Sequence, residues 1–122
     1  MKINSEKNTF SKLFDVSRET LTKLIQYELK IISFNEKSNI IGKSTIPYIW
    51  KRHFADSAKI LSFITTIVKQ NENRKLTICD VGSGGGFPGL VILILNQEKK
   101  VNFHMTLVES NKKECSFLKD LI

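Results

Sequence analysis

The sequence predicts a mixed α/β chain in which an amino-terminal helical cap precedes one βαβ unit. Apolar residues recur at helical spacing within residues 17–34. Two short β-rich runs, residues 76–81 and 101–109, flank an apolar segment of helical length, and four glycines within five positions follow the first run. We therefore expect a basic helical cap at residues 1–75 and a βαβ unit with the start of the next helix at residues 76–122.

The first predicted helix begins after Ser17, whose hydroxyl is suited to accept a free N–H of the first turn, and runs to about Phe34. The polar run at residues 35–39 ends it. The residues expected to face the core follow helical spacing: Leu21, Leu24, Ile25, Leu29 and Ile32, with Tyr27, Ile31 and Phe34 widening the stripe.

Two more helices are predicted before the sheet. One spans residues 45–54 with Pro47 in its first turn, a position that needs no N–H. The other spans residues 56–69 and has Asp56 as its N-cap. The polar residues 70–75 are predicted to link the helical cap to the first strand.

Within the βαβ unit, the connecting helix is predicted at residues 88–96 and a last helix from about Asn111 onward. Parallel strands are normally covered on both faces. We expect the helical cap to cover the apolar side chains of this unit only in part; these are Ile92, Leu93, Leu95, Phe117 and Leu121.

The positive charge is concentrated in the helical cap. The chain holds 19 Lys and Arg against 12 Asp and Glu, and residues 1–75 hold 14 of the bases and 7 of the acids. The net charge of +7 therefore resides in this part. Because 16 of the bases are Lys, two interpretations stay open: a solvated surface, or phosphate contacts with an anionic partner.

Membrane and metal-binding classes are not favoured. The longest apolar run, residues 90–95, is far shorter than the roughly 18 residues that span a bilayer. Residues 1–6 are polar, so we expect a cytoplasmic protein, and we expect a monomer. Cys79 and Cys115 are expected to be free thiols, and no metal site is predicted because no CxxC or HxxxH pattern is present.

The most informative segment is the glycine loop, residues 82–89, which reads GSGGGFPG. A glycine turn that leads into a helix presents unpaired N–H groups to a ligand. Gly84, Gly86 and Gly89 have the dinucleotide-binding spacing GxGxxG, which is not specific by itself. A Walker phosphate loop is excluded, since Leu90 and Val91 occupy the positions of its Lys and Ser or Thr.

Asp80 and Glu109 stand at the carboxyl ends of the two predicted strands, beside the glycine loop. Two unit charges about 4 Å apart interact by roughly 4 kcal/mol at an effective dielectric constant near 20. Asp80 is therefore expected to repel a pyrophosphate and to favour S-adenosylmethionine, which is cationic and has no phosphate. Glu109 is suited to bind the ribose of either cofactor. Alternatively, both acids are only local caps of a tight strand-to-helix turn.

Four segments carry a family resemblance: residues 34–40 (FNEKSNI), 52–57 (RHFADS), 80–90 (DVGSGGGFPGL) and 107–113 (LVESNKK). Through them, residues 20–122 resemble the glucose-inhibited division protein B family, bacterial methyltransferases that modify guanine N(7) of 16S ribosomal RNA. The resemblance implies a class I S-adenosylmethionine-dependent methyltransferase fold, which is Rossmann-like, and 16S rRNA or the small ribosomal subunit as the partner.

The resemblance also implies a cofactor site. It places contacts at Gly82 and Phe87 and an acid near the ribose at Glu109, where the family commonly has Asp. Together with the charge argument, the expected cofactor-binding residues are Asp80, Gly82, Gly84, Gly86, Phe87 and Glu109.

The class I sheet has seven strands, and this chain supplies two. The resemblance therefore implies a fold that is truncated after the second strand, and we expect the isolated chain to be inactive. Two alternatives stay open: a fragment of a nicotinamide-dependent oxidoreductase, which Asp80 disfavours, and a non-catalytic remnant that binds RNA through the helical cap.

No catalytic residue is predicted. Guanine N(7) keeps an in-plane lone pair and needs no base, so methyl transfer is mainly a problem of orientation. We expect Arg52 to contact an RNA phosphate and His53 to have a structural or RNA-positioning role rather than acid–base chemistry. Trp50 and Phe54 are candidates either for stacking on a base or for the core.

Overall fold

The computed structural model describes residues 4–82 and 84–121, and its elements confirm a mixed helix and strand chain with a small parallel sheet. The regular elements in these residues are α1 (Ser5–Leu13), α2 (Arg18–Asn35), α3 (Ala55–Gln70), β1 (Leu76–Val81), α4 (Gly89–Lys99), β2 (Phe103–Val108) and α5 (Lys112–Leu121). A 3-10 segment at Lys43–Tyr48 and a π-helical turn at Ile49–Phe54 lie between α2 and α3.

Helix α1 was not predicted from the sequence. Asn4 is its N-cap, and the Asn4 side chain accepts the Lys7 N–H at 3.0 Å. Phe10 is the buried residue of this helix, where it contacts Phe14 and Trp50. With one buried residue, α1 has little apolar periodicity, and its Asn4 cap is the only local signal in the sequence that marks this helix.

Helix α2 confirms the prediction at both ends. The Ser17 hydroxyl accepts the Thr20 N–H at 3.2 Å. At the other end, Asn35 Oδ1 accepts the N–H groups of Ile40 and Ile41 at 2.7 and 3.1 Å, which turns the chain out of the helix. Leu29, which was expected in the core, is exposed.

The prediction of two separate helices at residues 45–54 and 56–69 is wrong. The π-helical turn runs into α3 without a break, and Phe54, the residue before α3, has helical φ and ψ of −71° and −42°. Asp56 therefore lies inside the first turn and is not an N-cap. Trp50, Phe54 and Ala58 follow one another at helical spacing and are all buried, so one buried side continues from the turn, which contacts α1, into α3, which contacts α4.

Strands β1 and β2 are parallel and in register, from Leu76 opposite Phe103 to Val81 opposite Val108. Helix α4 connects them and packs against α2 and α3. The expectation that the apolar side chains of the βαβ unit are covered only in part is wrong for Ile92, Leu95 and Phe117, which are buried, and confirmed for Leu93 and Leu121, which are half-buried. The residues that alternate with the packed ones lie on the exposed face of the sheet: Thr77, Cys79, Val81, His104, Thr106 and Val108.

Candidate functional site

The glycine loop lies where the carboxyl ends of β1 and β2 meet. The Gly82 N–H donates to the Val108 carbonyl at 2.7 Å, so the loop leaves the sheet directly after this bond. Gly82, Gly84 and Gly86 have φ values of +74°, +51° and +96°. L side chains rarely adopt such conformations, and these three glycines are therefore required by the backbone itself.

One side of the loop is packed tightly against residues from the first half of the chain. A Cβ added to Gly85 would collide with the Ile40 side chain. A Cβ added to Gly86 would collide with the Tyr27 hydroxyl and lie 2.8 Å from Leu90 Cβ. Sequence reasoning attributed all these glycines to a ligand. In the structure, Gly85 leaves room for Ile40 and Gly86 leaves room for Tyr27 on the packed side of the loop.

The other side of the loop is open. Among the described residues, no atom lies within 4 Å of a Cβ added to Gly82. At Gly84 the nearest atoms are the Gly82 carbonyl oxygen at 3.9 Å and Glu114 Oε1 at 4.0 Å. In parallel α/β sheets ligands bind outside the carboxyl ends of the strands. The space beside Gly82 and Gly84 is therefore the candidate ligand site.

Asp80 caps helix α4. Its Oδ2 accepts the Gly89 N–H at 2.9 Å, and a Cβ on Gly89 would lie 2.6 Å from the same oxygen. Gly89 thus permits the close approach that the cap requires. Asp80 therefore has the local capping role that the sequence left open, and its carboxylate lies at the base of the loop.

Glu109 joins the end of β2 to the loop. Its Oε1 accepts the Gly84 N–H at 2.7 Å, and its Oε2 accepts the Asn111 N–H at 3.0 Å. These hydrogen bonds, from Asn111 and then Gly84, lower the pKa of Glu109. The side chain is therefore charged at neutral pH and already serves as a structural link, at the position predicted to contact a ribose.

Glu114 is a member of the site that sequence reasoning missed. It lies in the first turn of α5, and burial together with the nearby Glu109 charge raises its pKa. Asn111 starts this helix by accepting the Glu114 N–H at 3.2 Å. The only signal in the sequence was an acidic residue in the first turn of the last helix, which is common at helix starts.

Phe87 points away from the open side, into an aromatic cluster formed with Tyr27, His53 and Phe54. The Phe87 ring centroid lies 4.6 Å from His53, 5.8 Å from Tyr27 and 5.9 Å from Phe54. The rings of Tyr27 and Phe54 stack at 5.8 Å with an interplanar angle of 15°. This cluster links the loop to α2 and to the turn before α3. Tyr27 was expected on the core face of the first helix, and its burial confirms this, but its contact with the loop was not predicted.

Arg52 and His53, the predicted RNA contacts, point in different directions. Arg52 is exposed, whereas the His53 ring stacks on Phe87 at an interplanar angle of 21°. Burial lowers the pKa of His53 despite the opposing charge of Asp56, so the ring is neutral at neutral pH. His53 Nε2 is buried and has no hydrogen-bond partner in the described part of the chain.

Trp50 and Phe54 belong to the core. Their relative exposures are 2% and 0%, and their rings meet edge to face at 4.8 Å. The Trp50 indole N–H donates to Glu28 at 2.9 Å. The interpretation that these rings stack on an RNA base is therefore wrong, because neither ring has a free face.

Among residues 4–82 and 84–121, no three His, Cys, Asp or Glu side chains form a group that could hold a metal ion. No described helix is long and apolar enough to cross a membrane. Cys79 and Cys115 are free thiols, and Cys115 Sγ donates to the Glu109 carbonyl at 2.8 Å.

Comparison with known proteins identifies relatives of one type. Residues 20–122 match the family described as GidB, rRNA small subunit methyltransferase G. The chain is 46% identical over 107 residues to the ribosomal RNA small subunit methyltransferase G of Bartonella henselae, which covers 88% of this chain and 46% of that protein. It is 39% identical over 116 residues to the protein of the same name from Parvibaculum lavamentivorans, and this match covers 95% of this chain and 48% of that protein.

The chain therefore spans about half the length of the curated relatives it matches. No solved structure matches it.

Proposed function

Because the chain belongs to the GidB family of rRNA small subunit methyltransferases, we propose that its glycine loop binds S-adenosylmethionine and that the protein methylates guanine N(7) of 16S rRNA. The observation that carries the proposal is the open side of the loop at Gly82 and Gly84, beside the carboxyl ends of two parallel strands. We further propose that residues 76–122 are the first βαβ unit of a class I, Rossmann-like methyltransferase domain, with residues 1–75 as its basic helical cap.

The charges around the loop support this cofactor. Asp80 caps α4 at the base of the loop and Glu109 holds the Gly84 N–H, so two carboxylates border the site. The sulfonium and ammonium groups of S-adenosylmethionine fit this environment. A pyrophosphate about 4 Å from one carboxylate would be repelled by roughly 4 kcal/mol at an effective dielectric constant near 20. This argues against the nicotinamide-dependent oxidoreductase alternative.

Methyl transfer to guanine N(7) requires orientation of the two reactants rather than proton transfer. When bound, S-adenosylmethionine would supply a methyl group on a positively charged sulfur for transfer to the N(7) lone pair. No side chain has to take a proton, and His53 is neutral and packed against Phe87. Asp80 and Glu109 hold the backbone on either side of the glycine loop and so fix the geometry of the proposed cofactor site.

The RNA contact is proposed at Arg52, which is exposed on the turn that places His53 against the loop. Its guanidinium is suited to form bidentate hydrogen bonds with a phosphate. His53 then has a positioning role through Phe87. Residues 1–75, which hold the net positive charge, supply the further contacts to 16S rRNA or to the small subunit.

Calorimetric titration of the 122-residue chain tests the cofactor. We expect S-adenosylhomocysteine to bind more tightly than NAD⁺ and Gly82→Ala to weaken its binding about tenfold or more, since the new Cβ enters the open site at a φ of +74°. Gly42→Ala is the matched control, because its nearest contact is 3.9 Å away and its φ is −60°.

Tighter binding of NAD⁺ would contradict the proposal, and so would an equal effect of the two substitutions. Binding of neither ligand, with RNA binding retained, would favour the non-catalytic remnant.

A further inference from the structure

A buried hydrogen bond connects α2 to the glycine loop. The Tyr27 hydroxyl donates to the Gly85 carbonyl, a contact between residues that are 58 positions apart. Tyr27 is 2% exposed and Gly85 is buried, so this carbonyl is closed off from solvent on the side of α2. Because a buried carbonyl without a partner is costly, this bond fixes the orientation of the peptide group that follows Gly85.

Tyr27 is itself held in place from two sides. Its ring stacks on Phe54 and contacts Phe87, with centroid distances of 5.8 Å in both cases. The hydroxyl also fills the position where a side chain on Gly86 would start. Burial, and then the negative charge of Asp80, raise the pKa of Tyr27, so the hydroxyl keeps its proton and acts only as a donor in this bond.

We propose that Tyr27 is a positioning residue for the cofactor: its hydroxyl holds the packed side of the loop so that Gly82 and Gly84 stay open to the ligand. The ligand in this inference rests on the proposed function, whereas the control of the loop by Tyr27 does not. Tyr27 of α2 accordingly supports the proposed cofactor site from the packed side of the loop, in addition to any contact that residues 1–75 make with RNA.

The test compares Tyr27→Phe with Leu61→Ala in the ¹⁵N-labelled 122-residue chain. Tyr27→Phe removes the hydroxyl and keeps the ring, while Leu61→Ala makes a cavity in α3, in a buried position outside the loop. Amide hydrogen exchange of residues 84–90, apart from Pro88, which has no N–H, is measured by NMR, and S-adenosylhomocysteine binding is measured by calorimetry.

We expect Tyr27→Phe to accelerate exchange in residues 84–90 about tenfold relative to the other core amides and to weaken ligand binding about tenfold, as expected for the loss of one buried hydrogen bond. Leu61→Ala is expected to lower the melting temperature at least as much, with a uniform change in exchange and less than a twofold change in affinity.

Unchanged relative exchange in the loop of Tyr27→Phe would overturn the inference, whether or not the ligand binds. Failure of Tyr27→Phe to fold, while Leu61→Ala folds, would overturn it as well, because the bond would then serve global stability. If the loop responds as expected but the unsubstituted chain binds no S-adenosylhomocysteine, the proposed function fails and the positioning of the loop by Tyr27 stands.

Discussion

Glu109 accepts the Gly84 N–H at 2.7 Å and thereby connects the end of β2 to the loop that follows β1. The other carboxylate oxygen accepts the Asn111 N–H at 3.0 Å, next to the start of α5. One side chain thus holds three segments together at the edge where a ligand is proposed to bind. The stability of this edge depends on the charge of Glu109, and that dependence is measurable.

Substitution of Glu109 by Gln should remove a pH-dependent contribution to stability. The folded-state pKa of Glu109 is lowered, so the carboxylate stabilises the fold above its unfolded pKa of about 4.3, and this stabilisation is lost as the pH falls through the folded-state value. Melting curves from about pH 7 to about pH 3 should show the chain more stable than Glu109→Gln at neutral pH. The difference should close in acid, and a difference that does not change with pH would contradict this.

The substitution Glu114→Gln should have the opposite effect on stability at neutral pH. Burial and the Glu109 charge raise the folded-state pKa of Glu114. Its ionised form therefore opposes folding, and this penalty grows as the pH rises above the unfolded pKa of about 4.3. We expect Glu114→Gln to raise the melting temperature at pH 7 and to have no effect near pH 3. Glu72→Gln, on the exposed turn after α3, is the control and should change neither.

Gly85→Ala should destabilise the protein by about 1–3 kcal/mol, because the added methyl group collides with the Ile40 side chain in a packed contact. Ile40→Ala removes the colliding group, so the double substitution should recover part of this loss. Gly42→Ala should stay within about 1 kcal/mol of the unsubstituted chain, since its position is spacious. Urea unfolding of the four variants and of the unsubstituted chain measures these differences; equal losses at Gly85 and Gly42 would rule out the packing argument.

The elements with a strong local signal were predictable from the sequence. Helix α2 has an apolar stripe and a Ser17 cap, so its type and approximate bounds follow from helical periodicity. Strands β1 and β2 are short β-rich runs bounded by glycine or polar residues, which indicate where they begin and end. The expectation of a loop at the carboxyl ends of parallel strands is likewise confirmed. Helix α1 was missed because one buried residue, Phe10, produces no periodic pattern.

The remaining features depend on contacts between distant parts of the chain. Tyr27 approaches Gly85 only after α2 packs on α4, and no spacing in the sequence encodes that distance. The same holds for the burial of Trp50 and Phe54, which makes them core residues rather than RNA contacts. Which glycines lie on the open side of the loop and which pack against the protein was therefore not predictable, although the glycine loop itself was.

RNA binding should depend on Arg52 more than on a comparable surface arginine. Arg52→Ala should weaken the binding of 16S rRNA and reduce the slope of log affinity against log salt by about one, as expected for one lost phosphate contact. Arg74→Ala, which removes an exposed arginine from the turn before β1, is the matched control. Filter-binding assays over a range of salt concentrations measure both, and equal slopes for the two variants would count against an RNA contact at Arg52.

The most direct test of the proposed cofactor site is an NMR titration of the ¹⁵N-labelled 122-residue chain with S-adenosylhomocysteine and, separately, with NAD⁺. The open side of the loop predicts saturable shifts of the Gly82, Gly84 and Glu109 amides with S-adenosylhomocysteine, with Gly42 unchanged and NAD⁺ ineffective at the same concentration. Saturation of the same amides by NAD⁺ at lower concentration, or binding of S-adenosylhomocysteine that leaves these three amides unmoved, would contradict it.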